Sequence, residues 1–212
     1  MADLCQQVTL IHSLFQRIYN GATLADIVPN PEPELVQAYG VMCFAHNSQS
    51  RKGPSGRPYN HHPLMVFVLV RLSGGSLVEQ VAALLHDVPE DMHKSWPGTR
   101  RAQIYAALAK QFGEEVADML EKLSNPEGLK SADKNRWQAE QLVACPEIRR
   151  VKVADKLANS YDTLLDTPTD WSADKLATSQ QTMIDTVGIY REVLSKNVQS
   201  FYSWLKAQEV RV

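Results

Sequence analysis

The chain has 212 residues, of which 44% are hydrophobic and 22% are charged, a composition that argues against disordered and fibrous classes. Its formal net charge of −2 argues against a broad basic face for duplex nucleic acid and against a polybasic membrane anchor. The longest apolar run, Leu64–Val70, is far shorter than the ~18 residues of a membrane span. The amino terminus does not resemble a secretory signal, and three scattered cysteines without a CxxC pair favour a reducing, cytoplasmic compartment.

Apolar residues recur at three- and four-residue steps along most of the chain, which predicts an all-α fold. The first helix is predicted over 4–19, and a second runs from the proline-rich stretch that follows to about Gln49. Glycines and prolines over 51–62 predict an ordered loop. A third helix is predicted over 63–71, although its β-branched content leaves a buried strand as an alternative.

A capping box, Ser76-Leu77-Val78-Glu79, predicts the start of the next helix. Pro89 disfavours helical geometry at Val88, so a kink or an end is expected there. Further helices are predicted over 99–112, 113–124, 133–144, 146–165, 173–188 and 189–207. Neither an internal repeat nor an interdomain linker is evident, which indicates one domain.

The dipeptide His86-Asp87 stands on an otherwise apolar helix, in VAALLHDVPED. An acid and an imidazole are costly to bury unless something pairs with them. A divalent metal would explain both, because it takes imidazole nitrogen together with carboxylate oxygen. The alternative is that the two side chains bond to each other or to the backbone, and the dipeptide alone favours this simpler interpretation.

Three further features bear on the choice. His46 ends a helix that enters a glycine loop, where Arg51 and Lys52 form either a cationic wall for phosphate or two solvated charges. Asp155 and Asn159 share one helical face beside Lys152. Asp155 is either a buried carboxylate that needs a partner or one half of a surface ion pair with Lys152. The acidic pair Glu90-Asp91 follows Pro89. It would either orient or deprotonate a water beside a metal, or form a solvated acidic helix end.

Four sequence blocks between residues 45 and 159 together carry a family resemblance: AHNSQSRKG, PYNHHP, AALLHDVPED and VADKLAN. In this order and at these separations they resemble the HD-domain hydrolases of the RelA/SpoT type. Each block is a weak signal alone, whereas four in order are strong. The resemblance implies a single HD-type domain over 1–212, with its motif core at 45–165 and packing helices at 1–44 and 166–212. The implied architecture is a bundle of about eight to ten helices with a metal site between them.

The resemblance also implies the roles of individual residues. The family's metal ligands, usually for Mn²⁺ although other divalent transition metals are compatible, fall on His46, His86, Asp87 and Asp155. Glu90 and Asp91 would position the attacking water and manage its proton. The positions that hold the nucleotide and its phosphates fall on Arg51, Lys52 and Asn159, with Lys152 predicted beside them. His62 matches the histidine of the HP block and is expected to shape the loop rather than to bind metal.

Two departures from the family pattern are visible. Val88-Pro89 replaces an aliphatic or Thr-Val pair, and Tyr161 stands where the family often has arginine. The loss of that arginine is expected to weaken phosphate binding or to change the substrate, and Pro89 to move Glu90 and Asp91 away from the water.

The leading hypothesis is a cytoplasmic 3′-pyrophosphohydrolase of guanosine tetra- or pentaphosphate, the alarmone of the stringent response. The alternatives are an HD phosphohydrolase acting on another nucleotide such as NADPH, a nucleotide-binding regulator without catalysis, and a structural helical adaptor. Duplex nucleic acid and membrane are not expected as partners, and the sequence leaves the oligomeric state open.

Overall fold

The computed structural model describes residues 2–95 and 98–209, which form α-helices joined by turns and loops. The helices are α1 (Ala2–Tyr19), α2 (Leu24–Ile27), α3 (Pro33–Ala45), α4 (His61–Leu72), α5 (Leu77–Leu85), α6 (Val88–Ser95), α7 (Arg101–Phe112), α8 (Glu114–Leu123), α9 (Ser131–Ala144), α10 (Arg149–Leu165), α11 (Ala173–Ile189) and α12 (Lys196–Glu209). Within the described ranges no strand forms, and none of these helices has the length and apolar character needed to cross a bilayer. The all-α prediction is confirmed.

The helix boundaries differ from those predicted at a few places. The short helix α2 and the separate α6 are additions to the expected set. The predicted second helix ends at Ala45 rather than near Gln49, because His46 caps it. The last helix begins at Lys196 rather than at 189, because a 3-10 turn over Arg191–Val193 intervenes.

Helix α4 lies at the centre of the bundle. Every residue from His62 to Val70 is buried, because α1, α5, α10 and α12 all pack around this helix. A helix that is hydrophobic on all sides is one that neighbours surround. The alternative of a strand over 63–71 is therefore wrong, and Pro63 occupies the first turn, where its missing N–H costs no hydrogen bond.

The turn between α5 and α6 presents the His86-Asp87 pair. The predicted capping box opens α5: the Ser76 side chain accepts from the backbone N of Glu79, whose carboxylate accepts from the backbone N of Ser76 at 2.8 Å. Helix α5 ends at Leu85 and α6 begins at Val88, so the expected interruption is present, but it lies at His86-Asp87 and not at Val88, which is already helical. Pro89 falls in the first turn of α6, the position that tolerates proline best.

The loop from His46 to Asn60 folds back on itself and is held against the end of α10. The Arg51 backbone N donates to the Arg57 carbonyl at 2.8 Å, which closes the loop. Ser55 donates to the Asp166 carboxylate from its backbone N, at 3.2 Å, and from its hydroxyl. At Gly53 an added Cβ would lie 2.0 Å from Asp166 Oδ2 and 2.5 Å from the Asp166 carbonyl oxygen. Only glycine permits this close approach.

Tyr161 lies in the helical core on the far side of α10. Its ring is fully buried, and it packs against Phe15 of α1 and Phe201 of α12 with ring centroids 5.0 and 5.6 Å away. Its hydroxyl lies 2.8 Å from His12 Nδ1. Tyr161 itself packs between helices and lines neither cavity of the described site, and the expected effect of the missing arginine stays a prediction.

Candidate active site

Two imidazoles and two carboxylates converge between α4, α10 and the turn after α5. His86 Nε2 lies 3.2 Å from Asp87 Oδ2 and 3.8 Å from Asp155 Oδ1. His62 Nε2 lies 3.2 Å from Asp155 Oδ1 and 3.8 Å from Asp87 Oδ2. Three of these side chains are buried and Asp87 is partly exposed. The structure thus brings His86, Asp87 and Asp155 together as predicted and adds His62.

Three members of this cluster, His86, Asp87 and Asp155, are each oriented by a further contact. His86 Nδ1 donates to the Ala83 carbonyl at 2.9 Å, which turns Nε2 toward the carboxylates. Asp155 accepts from Asn159 Nδ2 at 2.6 Å, and Lys152 Nζ lies 3.3 Å from its second oxygen. Asp87 accepts from the Tyr59 hydroxyl at 2.8 Å. The donor atoms are therefore fixed in place before any ligand arrives.

Attraction between opposite charges outweighs the effect of burial on the pKa of His86 and of Asp155, but not on the pKa of His62. Burial alone would lower the pKa of His86, but Asp87 and then Asp155 raise this pKa to about 9. Burial would likewise raise the pKa of Asp155, but Lys152 and the two histidines hold this pKa well below its ordinary value. The pKa of His62 is lowered, first by burial and then by Arg51. Without a metal, a protonated His86 and Lys152 are the cations that balance the two carboxylates.

The donor set fits a divalent transition metal. Imidazole nitrogen and carboxylate oxygen are the ligands such ions take, and donor atoms of His62, His86 and Asp87 lie within 4.8 Å of one another. The Nε2 atoms of His46 and His86 are buried without a hydrogen-bond partner of acceptable geometry. Buried polar atoms left in this way need an explanation, and for these two imidazoles beside carboxylates a bound metal ion is one.

His46 lies beside this cluster and reaches it through Tyr59. Its ring stacks on the Tyr59 ring with centroids 4.8 Å apart, and Tyr59 in turn bonds to Asp87. Nδ1 of His46 donates to Gln49 Oε1 at 2.5 Å and lies 4.0 Å from Asp91 Oδ2. His46 as a metal ligand stays a prediction. His62, which we expected only to shape the loop, joins the candidates, and its place in PYNHHP was the signal for it.

The two acids of the predicted catalytic pair face different partners. Glu90 lines a cavity of about 200 Å³ together with His62, His86 and Asp155. Its Oε1 accepts from both the backbone N and the side-chain Nδ2 of Asn125, at 2.7 and 3.1 Å. Asp91 is directed instead toward His46. Glu90 is therefore the acid that shares a cavity with the cluster.

A larger cavity of about 870 Å³ adjoins the first one. Its volume is in the range of small-molecule sites. Six basic side chains line it: Arg51, Lys52, Arg57, Lys134, Lys156 and Lys175. The two cavities share Tyr59, Gln138, Lys156 and Asn159, which form the junction between them. The volume and the basic lining are compatible with an anionic molecule of nucleotide size.

The predicted binding residues fall into two groups. Arg51 and Asn159 line the larger cavity and bond to each other, with Arg51 Nη2 donating to Asn159 Oδ1 at 2.7 Å. The Arg51 Nε atom also lies 2.8 Å from Asp162 Oδ2. Lys52 lines the larger cavity, whereas Lys152 lines only the smaller one, where Asp155 pairs with it.

Comparison with known proteins agrees with this arrangement. A family model described as an HD domain matches residues 38–159. The chain is 32% identical over 142 residues to guanosine-3′,5′-bis(diphosphate) 3′-pyrophosphohydrolase MESH1 from Mus musculus, and 33% identical to the MESH1 of Danio rerio; each match covers 66% of this chain and 74% of the relative.

A solved structure, described as a metazoan orthologue of SpoT that hydrolyses ppGpp, has the same fold. It matches with a TM-score of 0.70 at 23% sequence identity, covering 83% of this chain and 96% of the other. The resemblance to RelA/SpoT-type hydrolases predicted from the four sequence blocks is confirmed, and the chain belongs to the HD domain family.

Proposed function

We propose that this chain is a metal-dependent hydrolase that removes the 3′-pyrophosphate from guanosine tetra- or pentaphosphate, releasing pyrophosphate and GDP or GTP. The observation that carries the proposal is the junction between the two cavities. A nucleoside in the cation-lined cavity would present a phosphate to the His–Asp cluster past residues that line both cavities, among them Lys156 and Asn159. The MESH1 relatives, named for this hydrolysis, support the choice of substrate. We place the activity in the cytoplasm, as the cysteine pattern predicts.

The metal would be held by His86, Asp87 and Asp155, with His46 or His62 completing the set. We propose Mn²⁺ as the ion, which in such a site supplies Lewis acidity toward water and phosphate oxygen. The protein's own contribution is to orient these ligand atoms. The Ala83 carbonyl orients His86, and the Tyr59 hydroxyl orients Asp87.

Glu90 is placed to accept the proton of the attacking water. Two donors from Asn125 fix one of its oxygens, so the carboxylate keeps one orientation in the small cavity. Water adds to the phosphorus that carries the ribose 3′-oxygen, the bond between that phosphorus and the 3′-oxygen breaks, and the 3′-oxygen takes up a proton. Arg51 and Lys52, which line the larger cavity, balance the charge of the nucleotide's phosphates.

Turnover of guanosine tetraphosphate tests this proposal. Purified protein with Mn²⁺ is expected to release pyrophosphate, and His86→Ala and Asp87→Ala are expected to abolish the release. Asp118→Ala, a substitution at an exposed aspartate paired with Lys122, serves as the matched control and leaves turnover unchanged. Absence of pyrophosphate, or full turnover in His86→Ala and Asp87→Ala, would contradict the proposal.

A nucleotide panel with separate phosphate and pyrophosphate readouts identifies the substrate. Release of phosphate from NADPH without pyrophosphate from guanosine tetraphosphate would assign the site to another nucleotide. Calorimetric binding of guanosine tetraphosphate in the presence of Mn²⁺, with no turnover, would instead indicate a regulator.

A further inference from the structure

The cations around the candidate site differ in what already neutralises them. Arg51 is paired with Asp162 at 2.8 Å, and Lys152 lies 3.3 Å from Asp155. Both guanidinium and ammonium are therefore balanced by a carboxylate of the protein. A cation that is balanced in this way gains less from a second anion than one that is not.

Lys156 has a different environment. Its Nζ donates to Gln138 Oε1 at 2.9 Å, a neutral acceptor, and within the described part of the chain no ion pair with a carboxylate is formed by this ammonium. The side chain is only partly accessible to solvent. The hydrogen bond of this partly buried ammonium therefore goes to an amide oxygen and not to a carboxylate, which leaves an external anion to provide the counter-charge.

The position of Lys156 matches this charge. Of the described basic side chains, it alone lines both the larger and the smaller cavity. Gln138 is held on its other side, with Nε2 donating to Asn125 Oδ1 at 3.0 Å, and Asn125 in turn donates to Glu90. The amide that holds Lys156 thus belongs to the same chain of hydrogen bonds that orients the proposed water-activating acid.

We propose that Lys156 binds the pyrophosphate group at the junction of the two cavities, exchanging the Gln138 oxygen for a phosphate oxygen. The sequence motifs predict phosphate binding by Arg51, Lys52, Lys152 and Asn159, and they do not indicate Lys156. The inference rests on the proposed function for the identity of the anion, and on geometry and charge for the residue. It also assigns Lys152 a different role, which is to balance Asp155.

Calorimetric titration with inorganic pyrophosphate tests the inference. The full chain is used with a chelator present, so that pyrophosphate does not bind through a metal. Because a charge-assisted hydrogen bond is lost, Lys156→Gln is expected to weaken binding by about 10- to 100-fold. Lys156→Arg, which keeps the charge, should restore most of the affinity. Lys122→Gln removes an equal charge from a lysine paired with Asp118 outside both cavities and should leave binding unchanged.

Thermal unfolding of each variant is measured as a control, to check that the fold is retained. Unchanged pyrophosphate affinity in Lys156→Gln, or no binding by the unaltered chain, overturns the inference. Binding that fails in Lys156→Gln supports the inference even in a protein that does not turn over guanosine tetraphosphate. The turnover assay therefore judges the proposed function separately.

Discussion

The loop that carries Arg51 and Lys52 is held on α10 by a contact that only glycine permits, and Gly53→Ala tests what this contact does. The new methyl group would lie 2.0 Å from Asp166 Oδ2 and 2.5 Å from the Asp166 carbonyl oxygen. The side-chain oxygen can rotate away, but the carbonyl belongs to the end of α10 and cannot. We therefore expect the loop to move off Asp166.

Moving the loop breaks the two hydrogen bonds from Ser55 to the Asp166 carboxylate. Each hydrogen bond contributes about 0.5–1.5 kcal/mol, so their loss makes the docked conformation of the loop less stable by about 1–3 kcal/mol. Only the docked loop presents Lys52 to the cavity, so the substrate must supply this free energy when it binds. In pyrophosphate-release kinetics KM is expected to rise about 5- to 150-fold. The kcat should stay close to that of the unaltered chain, because the His–Asp cluster does not touch Gly53.

Gly56→Ala is the matched control in the same loop. Gly56 has a φ of +60°, and a Cβ there would meet nothing within 4 Å. Alanine in this left-handed conformation costs about 1–2 kcal/mol of backbone strain without colliding with Asp166. We expect a small loss of thermal stability and an unchanged KM. Equal KM values for Gly53→Ala and the unaltered chain, or equal increases in both variants, would refute the reasoning.

Three further predictions concern the cluster and the core. Asp155→Asn is expected to abolish metal binding in calorimetry and to lower the Tm of the metal-free protein, because Lys152 loses its carboxylate; an unchanged metal affinity would exclude Asp155 as a ligand. His86 has a folded-state pKa of about 9 against an ordinary value of 6.5, so its stabilising charge is fully present below pH 6.5. The Tm of chelator-treated protein should thus fall as pH rises from 6.5 to 9, while metal affinity rises because the ligand must lose a proton. Tyr161→Phe should cost about 1 kcal/mol of stability, measured by denaturant unfolding, and leave KM unchanged; a raised KM would place this residue in the substrate site.

The sequence predicted those features that local physics determines. The capping box at Ser76 and Glu79 required only neighbouring residues, and it is present. The interruption at Pro89 followed from the missing N–H and the restricted geometry before proline, and α5 and α6 are indeed separate helices. The choice between helix and strand for residues 63–71 depended on what surrounds them, and only the tertiary structure supplies four neighbouring helices.

Tertiary pairing decides the features that the sequence did not predict. Lys152 and Lys156 are four residues apart on one helix, and nothing local indicates that the first pairs with Asp155 and the second with an amide. The amide belongs to Gln138 on α9, a helix whose polar residues have no motif to mark them. Tyr161 stands after VADKLAN where the family often has arginine, and the direction of its side chain depends on α1 and α12, which the sequence does not show.

Pro89, expected from the sequence to move Glu90 and Asp91 away from the water, lies in the first turn of α6. A proline inside a continuous helix would have displaced both acids after it, but here α5 has already ended and the proline lies in the first turn of a new helix. This new helix directs Glu90 into the cavity of the cluster, where Asn125 binds it, and Asp91 toward His46. Because the helix breaks before the acids, the adjacent carboxylates of Glu90 and Asp91 can point in two different directions. The departure from the family pattern is therefore compatible with catalysis because the helix break comes before the proline.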